Sequence, residues 1–180
     1  MNTPIYYVDA FTDSLFSGNP AAVIFSDIND ASLMQLIAAE NNLSETAFLR
    51  LENDKYFIRW FSPSCEIDLC GHATLASAFI YFNYINTKAT EFEVHSLKNG
   101  ALKVSQNADY LYLDFPKDNI QEDDEYTSSI VDVLGGIVPK EIFRGRDDLL
   151  VILDNELDIE EHQNDFAMSL IHKSEPTRQR

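Results

Sequence analysis

Asp68-Leu69-Cys70-Gly71-His72-Ala73-Thr74-Leu75-Ala76-Ser77-Ala78-Phe79-Ile80 begins polar, turns on a glycine and then runs small and apolar. Up to Tyr84, nearly every residue after His72 is small or hydrophobic. Ala73, Ala76, Ser77 and Ala78 let other backbone approach closely, while Leu75, Phe79, Ile80 and Phe82 fill space. A helix apolar on most sides belongs inside a core, and this one is well short of a membrane span. The reading is a buried helix over residues 73–84, started through Gly71-His72. A helix start leaves unpaired N–H groups and a partial positive charge, which suit a bound carboxylate. A ligand site is therefore expected at the mouth of this helix.

Strand patterns surround it. Residues 5–11 are rich in aromatic and β-branched residues and read as a strand, residues 21–25 and 56–61 read as further strands, and residues 43–49 lead from a helix into another. Phe16-Ser17-Gly18-Asn19-Pro20 is a turn cluster, and Asn53-Asp54 is a hairpin signal. Asp30 can cap a helix over residues 31–41, with Leu33, Leu36, Ile37 and Ala39 as the expected inner face. Residues 91–95, 101–106 and 110–115 read as a three-stranded meander. Residues 1–115 thus give about seven strands and two helices, an α+β domain with a curved sheet wrapped around its own helix. Residues 116–126, with the acidic run Glu122-Asp123-Asp124-Glu125, read as a solvated linker. Beyond it come a short helix over 127–134 ended by Gly135-Gly136, a strand over 149–153 and an amphipathic helix over 160–172. Residues 127–180 are expected to be the incomplete start of a second domain.

The chain has 180 residues, 45% of them hydrophobic and 12% aromatic, enough for a sizeable core. Its net charge of −17 argues against nucleic acid or an anionic membrane as a partner. The charge is uneven. Residues 1–116 hold 14 acidic and 6 basic residues, and the shorter 117–180 holds 16 and 7, so the character shifts near Phe115-Pro116. Two cysteines, Cys65 and Cys70, are too few for a disulfide scaffold. No secretory or membrane-spanning pattern is present, so a cytoplasmic protein is expected.

Three residues could carry chemistry. Glu45, between Ser44 and Thr46 at a helix-to-strand junction, could face a pocket and act as a general base. The residues alone leave open a surface turn glutamate with a capping role. His72 could donate to a substrate, with the Gly71 and His72 N–H groups holding an anion, or it could be a capping or satisfied core histidine. Cys70 could be a thiolate activated by the helix start, or a small buried hydrophobe. Asp9, Phe11, Gly18, Asn19 and Pro20 form a further polar-and-turn cluster that could line the same site, and Asp68 reads as a structural support for its turn. Cys65, Cys70 and His72 have uneven spacing and no fourth ligand, so no metal site is expected. His95, His162 and His172 receive no role.

Four motifs in order carry a family resemblance. They are Asp9-Ala10-Phe11-Thr12 with Phe16-Ser17-Gly18-Asn19-Pro20-Ala21-Ala22-Val23, Leu43-Ser44-Glu45-Thr46-Ala47-Phe48, Arg59-Trp60-Phe61-Ser62-Pro63, and Asp68-Leu69-Cys70-Gly71-His72-Ala73-Thr74-Leu75-Ala76. Together they resemble the phenazine biosynthesis PhzF-like protein family, which shares the diaminopimelate epimerase-like fold. The resemblance implies a cofactor-independent isomerase or epimerase of a small carboxylated metabolite. It implies Glu45 as the residue that takes and returns a proton, and Gly71 and His72 as substrate contacts. Asn19 and Ser44 are grouped with the substrate-binding residues, and Cys70 and Asp9 are further candidates. The related epimerases use two cysteines, and this chain shows only one at a matching position. The family has two pseudo-repeated domains with the site in the cleft between them, and it usually dimerises. The second domain's Gly-Ser-Ala-His-like motif is absent from residues 117–180. The alternative expectation is therefore a truncated, inactive or binding-only half of such an enzyme. A homodimer or higher self-association is the expected partner state, with a small carboxylate as ligand and no cofactor.

Overall fold

The β-branched and aromatic runs of the sequence become strands that curl around the apolar helix, because that helix cannot be left in water. The computed structural model describes residues 3–155, except residues 15, 124, 126 and 147. It divides into two units, the first ending at Pro116 and the second starting at Lys117.

The first unit contains β1 (Tyr6–Ala10), β2 (Asn19–Phe25), α1 (Ala31–Asn41), β3 (Glu45–Glu52), β4 (Lys55–Phe61) and β5 (Glu66–Ile67). After these come α2 (Gly71–Ile80), a π-helical segment (Tyr81–Ile85), β6 (Glu91–Ser96), β7 (Gly100–Asn107) and β8 (Tyr110–Asp114). The strands form one eight-stranded sheet in the order β1-β2-β3-β4-β6-β7-β8, with β5 paired to β4. β2–β3 and β4–β6 are parallel pairs, and the rest are antiparallel. The sheet curls until β1 and β8, at its two ends, both touch α2. Ala73, Ala76 and Ala78 lie fully inside, against Ala21, Val23, Ala47, Leu49, Ile58, Trp60, Val94, Leu102 and Val104. Tyr56, Tyr81, Phe82 and Phe92 pack ring on ring at the far end of the helix, Tyr81 and Phe92 stacked at 4.1 Å.

The helix is longer and less uniformly buried than its composition implies. It starts at Gly71 and runs on as a π-helical turn through Ile85, and Phe79 and Tyr84 are exposed. The expected inner face of α1 is a clearer correction. Met34 and Ala38 are buried, Ile37 is partly buried, and Leu33, Leu36 and Ala39 face outward. Asp30 caps α1 through Ser32 and Leu33 N–H, and that anchor sets the helix so that Met34, Ile37 and Ala38 meet Ile24, Phe48 and Phe61. α1 therefore covers the outer face of the sheet whose inner face holds α2. At Asn53-Asp54 both φ angles are positive, the two-residue hairpin geometry.

The second unit holds β9 (Gln121–Glu122), α3 (Thr127–Val133), β10 (Glu141–Arg144) and β11 (Leu149–Ile152), the strands forming a sheet in the order β11-β10-β9. The stretch read as an acidic linker over 116–126 thus contains a strand. Asp123, the residue after β9, accepts a hydrogen bond from Arg144 Nε and donates its N–H to the Ile142 carbonyl, which ties the end of β9 to β10. Sequence pattern does not reveal β10, because Glu141-Ile142-Phe143-Arg144 is too short to show alternation. The helix expected over 160–172 and the polar tail over 173–180 lie outside the described residues.

Candidate active site

The period of two in β3 puts Glu45 on the same face as Ala47 and Leu49, the face that packs on α2. Glu45 is the first residue of that strand, paired in register with Ala21 of β2. Cys70 and His72 stand at the start of α2. A strand end and a helix start converge there, and three side chains meet. His72 Nε2 lies 3.1 Å from Glu45 Oε2, and Cys70 Sγ lies 3.4 Å from His72 Nδ1.

Glu45 is 3% exposed and His72 8% exposed. The surface-turn reading of Glu45 is therefore overturned. The 3.1 Å contact is an ion-pair approach without hydrogen-bond alignment, and among the described residues no other group hydrogen-bonds Glu45 Oε2 or His72 Nε2. Buried polar atoms of that kind are rare and cost of the order of 1–3 kcal/mol each, so they mark a place where the fold serves something other than stability. Burial pushes the Cys70 thiol up to about 12, the Glu45 charge adds to the rise, and the Ala73 and His72 backbone N–H groups facing the sulfur offset part of it. A thiolate nucleophile, the requirement of two-thiol chemistry, is disfavoured at neutral pH by that environment.

The edge of the Phe115 ring packs close on Gly71, since a Cβ there would sit 3.1 Å from Phe115 Cε2. Ser44 Oγ donates to Asn19 Oδ1 at 3.2 Å and lies 3.4 Å from the Pro20 carbonyl. That bond ties β2 to the residue before Glu45, so Asn19 and Ser44 border the cluster. Asp9 is exposed opposite Pro20 and stands outside it. Asp68 pairs with Lys98 at 2.6 Å and its carbonyl accepts from Asn99 Nδ2, a structural role. Cys65 is exposed and sits among the Ser62 and Ser64 hydroxyls.

Among the described residues, Glu45, Cys70 and His72 are the group whose carboxylate, thiol and imidazole atoms all fall within 4.8 Å. Sequence spacing did not reveal this trio, because Glu45 reaches it through strand register. The thiol and the carboxylate occupy opposite ring nitrogens, whereas a metal ion takes one. The arrangement fits proton handling better than metal ligation. Among the described residues Trp60 Nε1 is also buried without a partner. Elsewhere Trp60 lines a pocket with Arg59, Glu66, Asp68 and Lys98, whose wall includes none of the trio.

The phenazine biosynthesis-like protein family matches residues 8–177. The chain belongs to this family. It is 43% identical over 169 residues to an uncharacterized isomerase of Halalkalibacterium halodurans, covering 93% of this chain and 63% of that protein. The crystal structure of a phenazine biosynthesis protein of the PhzF family from Enterococcus faecalis superposes with a TM-score of 0.81 at 42% identity, again over 93% of this chain and 63% of the other. A predicted epimerase from Pseudomonas aeruginosa shares the fold at 19% identity and a TM-score of 0.62, covering 79% of this chain and 56% of that one. The chain thus spans a little under two thirds of the first two relatives, and the α+β, epimerase-like architecture expected from the sequence is the architecture found. Among the described residues no helix is long and apolar enough to cross a membrane.

Proposed function

We propose that this protein is a cofactor-independent isomerase or epimerase of a small carboxylated metabolite, with Glu45 as its acid/base. The observation that carries this reading is the buried 3.1 Å contact of Glu45 Oε2 with His72 Nε2, two polar atoms that no hydrogen bond from the described residues satisfies. In the proposed step the Glu45 carboxylate removes a proton from a carbon next to the substrate's carboxylate or conjugated system. The C–H electron pair delocalises into that system. His72 donates through Nε2–H to the oxygen where charge gathers, and Glu45, now a carboxylic acid, returns the proton to another carbon or face. No electrons are gained or lost. Preorganised donors in a dry site are the largest lever for such a step. Membership of a family with relatives named as isomerases supports the reaction class.

The test is deuterium incorporation from heavy water into a panel of small unsaturated and α-substituted carboxylates, followed by NMR. The wild type is expected to incorporate label into at least one, and Glu45→Gln to slow that by at least about 10²-fold with the fold intact. Equal incorporation by the two proteins would overturn the assignment. Binding without exchange in the wild type would favour a binding module.

A further inference from the structure

His72 has a different neighbour at each ring nitrogen, Cys70 Sγ at Nδ1 and Glu45 Oε2 at Nε2. We propose that Cys70 is a positioning residue, whose S–H donates to His72 Nδ1 and holds the imidazole as its Nε2–H tautomer, facing the Glu45 carboxylate. The inference rests on the reading of Glu45 as the proton-transferring group and adds to it the device that orients its partner.

The surroundings of the ring lead there. The Sγ···Nδ1 distance of 3.4 Å is a sulfur hydrogen bond, in which either atom can be the donor. The opposite tautomer would leave an unprotonated Nε2 3.1 Å from a carboxylate oxygen, a repulsive contact between two electron-rich atoms. Burial of Cys70 keeps its proton on sulfur across the neutral range. Thr74 Oγ1 and Thr74 N–H both bond the Cys70 carbonyl, fixing the backbone from which the thiol projects. Any uncharged donor of similar size at position 70 would serve, and an alanine would not.

The test is a two-bond proton–nitrogen NMR correlation of the histidine rings in the nitrogen-15-labelled chain at neutral pH, with His72 assigned by loss of its signals in His72→Gln. In the wild type Nε2 is expected to carry the proton, with Nδ1 an unprotonated nitrogen shifted upfield by an accepted hydrogen bond. Cys70→Ala should move Nδ1 downfield towards a free ring nitrogen, and Cys70→Ser should keep it near the wild-type position. A proton on Nδ1 in the wild type, a doubly protonated ring, or an Nδ1 signal unmoved by Cys70→Ala overturns the proposal. If Cys70→Ala does not fold, the wild-type tautomer and the serine variant decide. The readout does not depend on turnover, so it is separate from a failure of Glu45→Gln to lose exchange.

Discussion

Cys70 and Cys65 are five residues apart and chemically unlike. Cys65 is exposed, whereas Cys70 is buried with its thiol pushed up to about 12. Iodoacetamide at pH 8 is expected to modify Cys65 and spare Cys70 in the folded protein, read by peptide mass spectrometry. Equal labelling would contradict the burial of the trio. The same shift has a stability consequence. The unfolded chain loses the Cys70 proton near the ordinary value of 9.0 and the folded one only near 12. The contribution is therefore fully present below pH 9 and is lost as pH rises towards 12. The urea midpoint of the wild type should fall more steeply above pH 9 than that of Cys70→Ala, and parallel profiles would argue against a buried neutral thiol. Gly18 makes a different demand. It has φ +89°, and a Cβ there would collide with the Ala10 carbonyl oxygen and the Thr12 side chain. Gly18→Ala should cost at least about 1–2 kcal/mol in denaturant unfolding from the backbone conformation alone. No loss would mean that the β1–β2 connection rearranges freely.

At the scale of elements, α1 shows where pattern reading stops. Its existence, its Asp30 cap and its end at Asn42, the left-handed C-cap, were legible from residue type. Its buried face was not. Leu33, Leu36, Met34 and Ile37 are all apolar, and which of them meets the sheet is set by where Ile24, Phe48 and Phe61 stand. Met34→Ala is therefore expected to cost about 2–5 kcal/mol and Leu36→Ala under about 0.5 kcal/mol. Equal costs would put the helix on its other face. In α2 the small residues are what the wrapped sheet requires. Ala76 is 1% exposed, and Ala76→Leu should destabilise by about 1–3 kcal/mol through overpacking. The candidate site was legible in pieces, because Ser44-Glu45-Thr46 and Cys70-Gly71-His72 each stand out. Their convergence was not, since it depends on the β2–β3 register and on Glu45 sharing the face of Ala47 and Leu49.

At the scale of the whole molecule, the chain covers 63% of the Halalkalibacterium isomerase-named relative, and its activity remains the proposal to test. Several large apolar side chains stand in solvent around the β1–β2 connection, with Phe16 98% exposed and Tyr7 and Phe11 more than half exposed. Surfaces of that kind are commonly covered by another chain. Light scattering at micromolar concentration is expected to give a mass above the 20.5 kDa of one chain, lowered by Phe16→Ser. A monomer mass for the wild type would contradict that expectation. The central claim is that substrate reacts where Glu45 and His72 meet. The most direct measurement is a crystal structure of Glu45→Gln with a carboxylate that the wild type exchanges. The exchanging carbon is expected within about 3–3.5 Å of the residue 45 side chain, with a ligand oxygen on His72 Nε2. A ligand seated away from both residues, with the Glu45–His72 contact still closed to it, would show that the reaction takes place elsewhere.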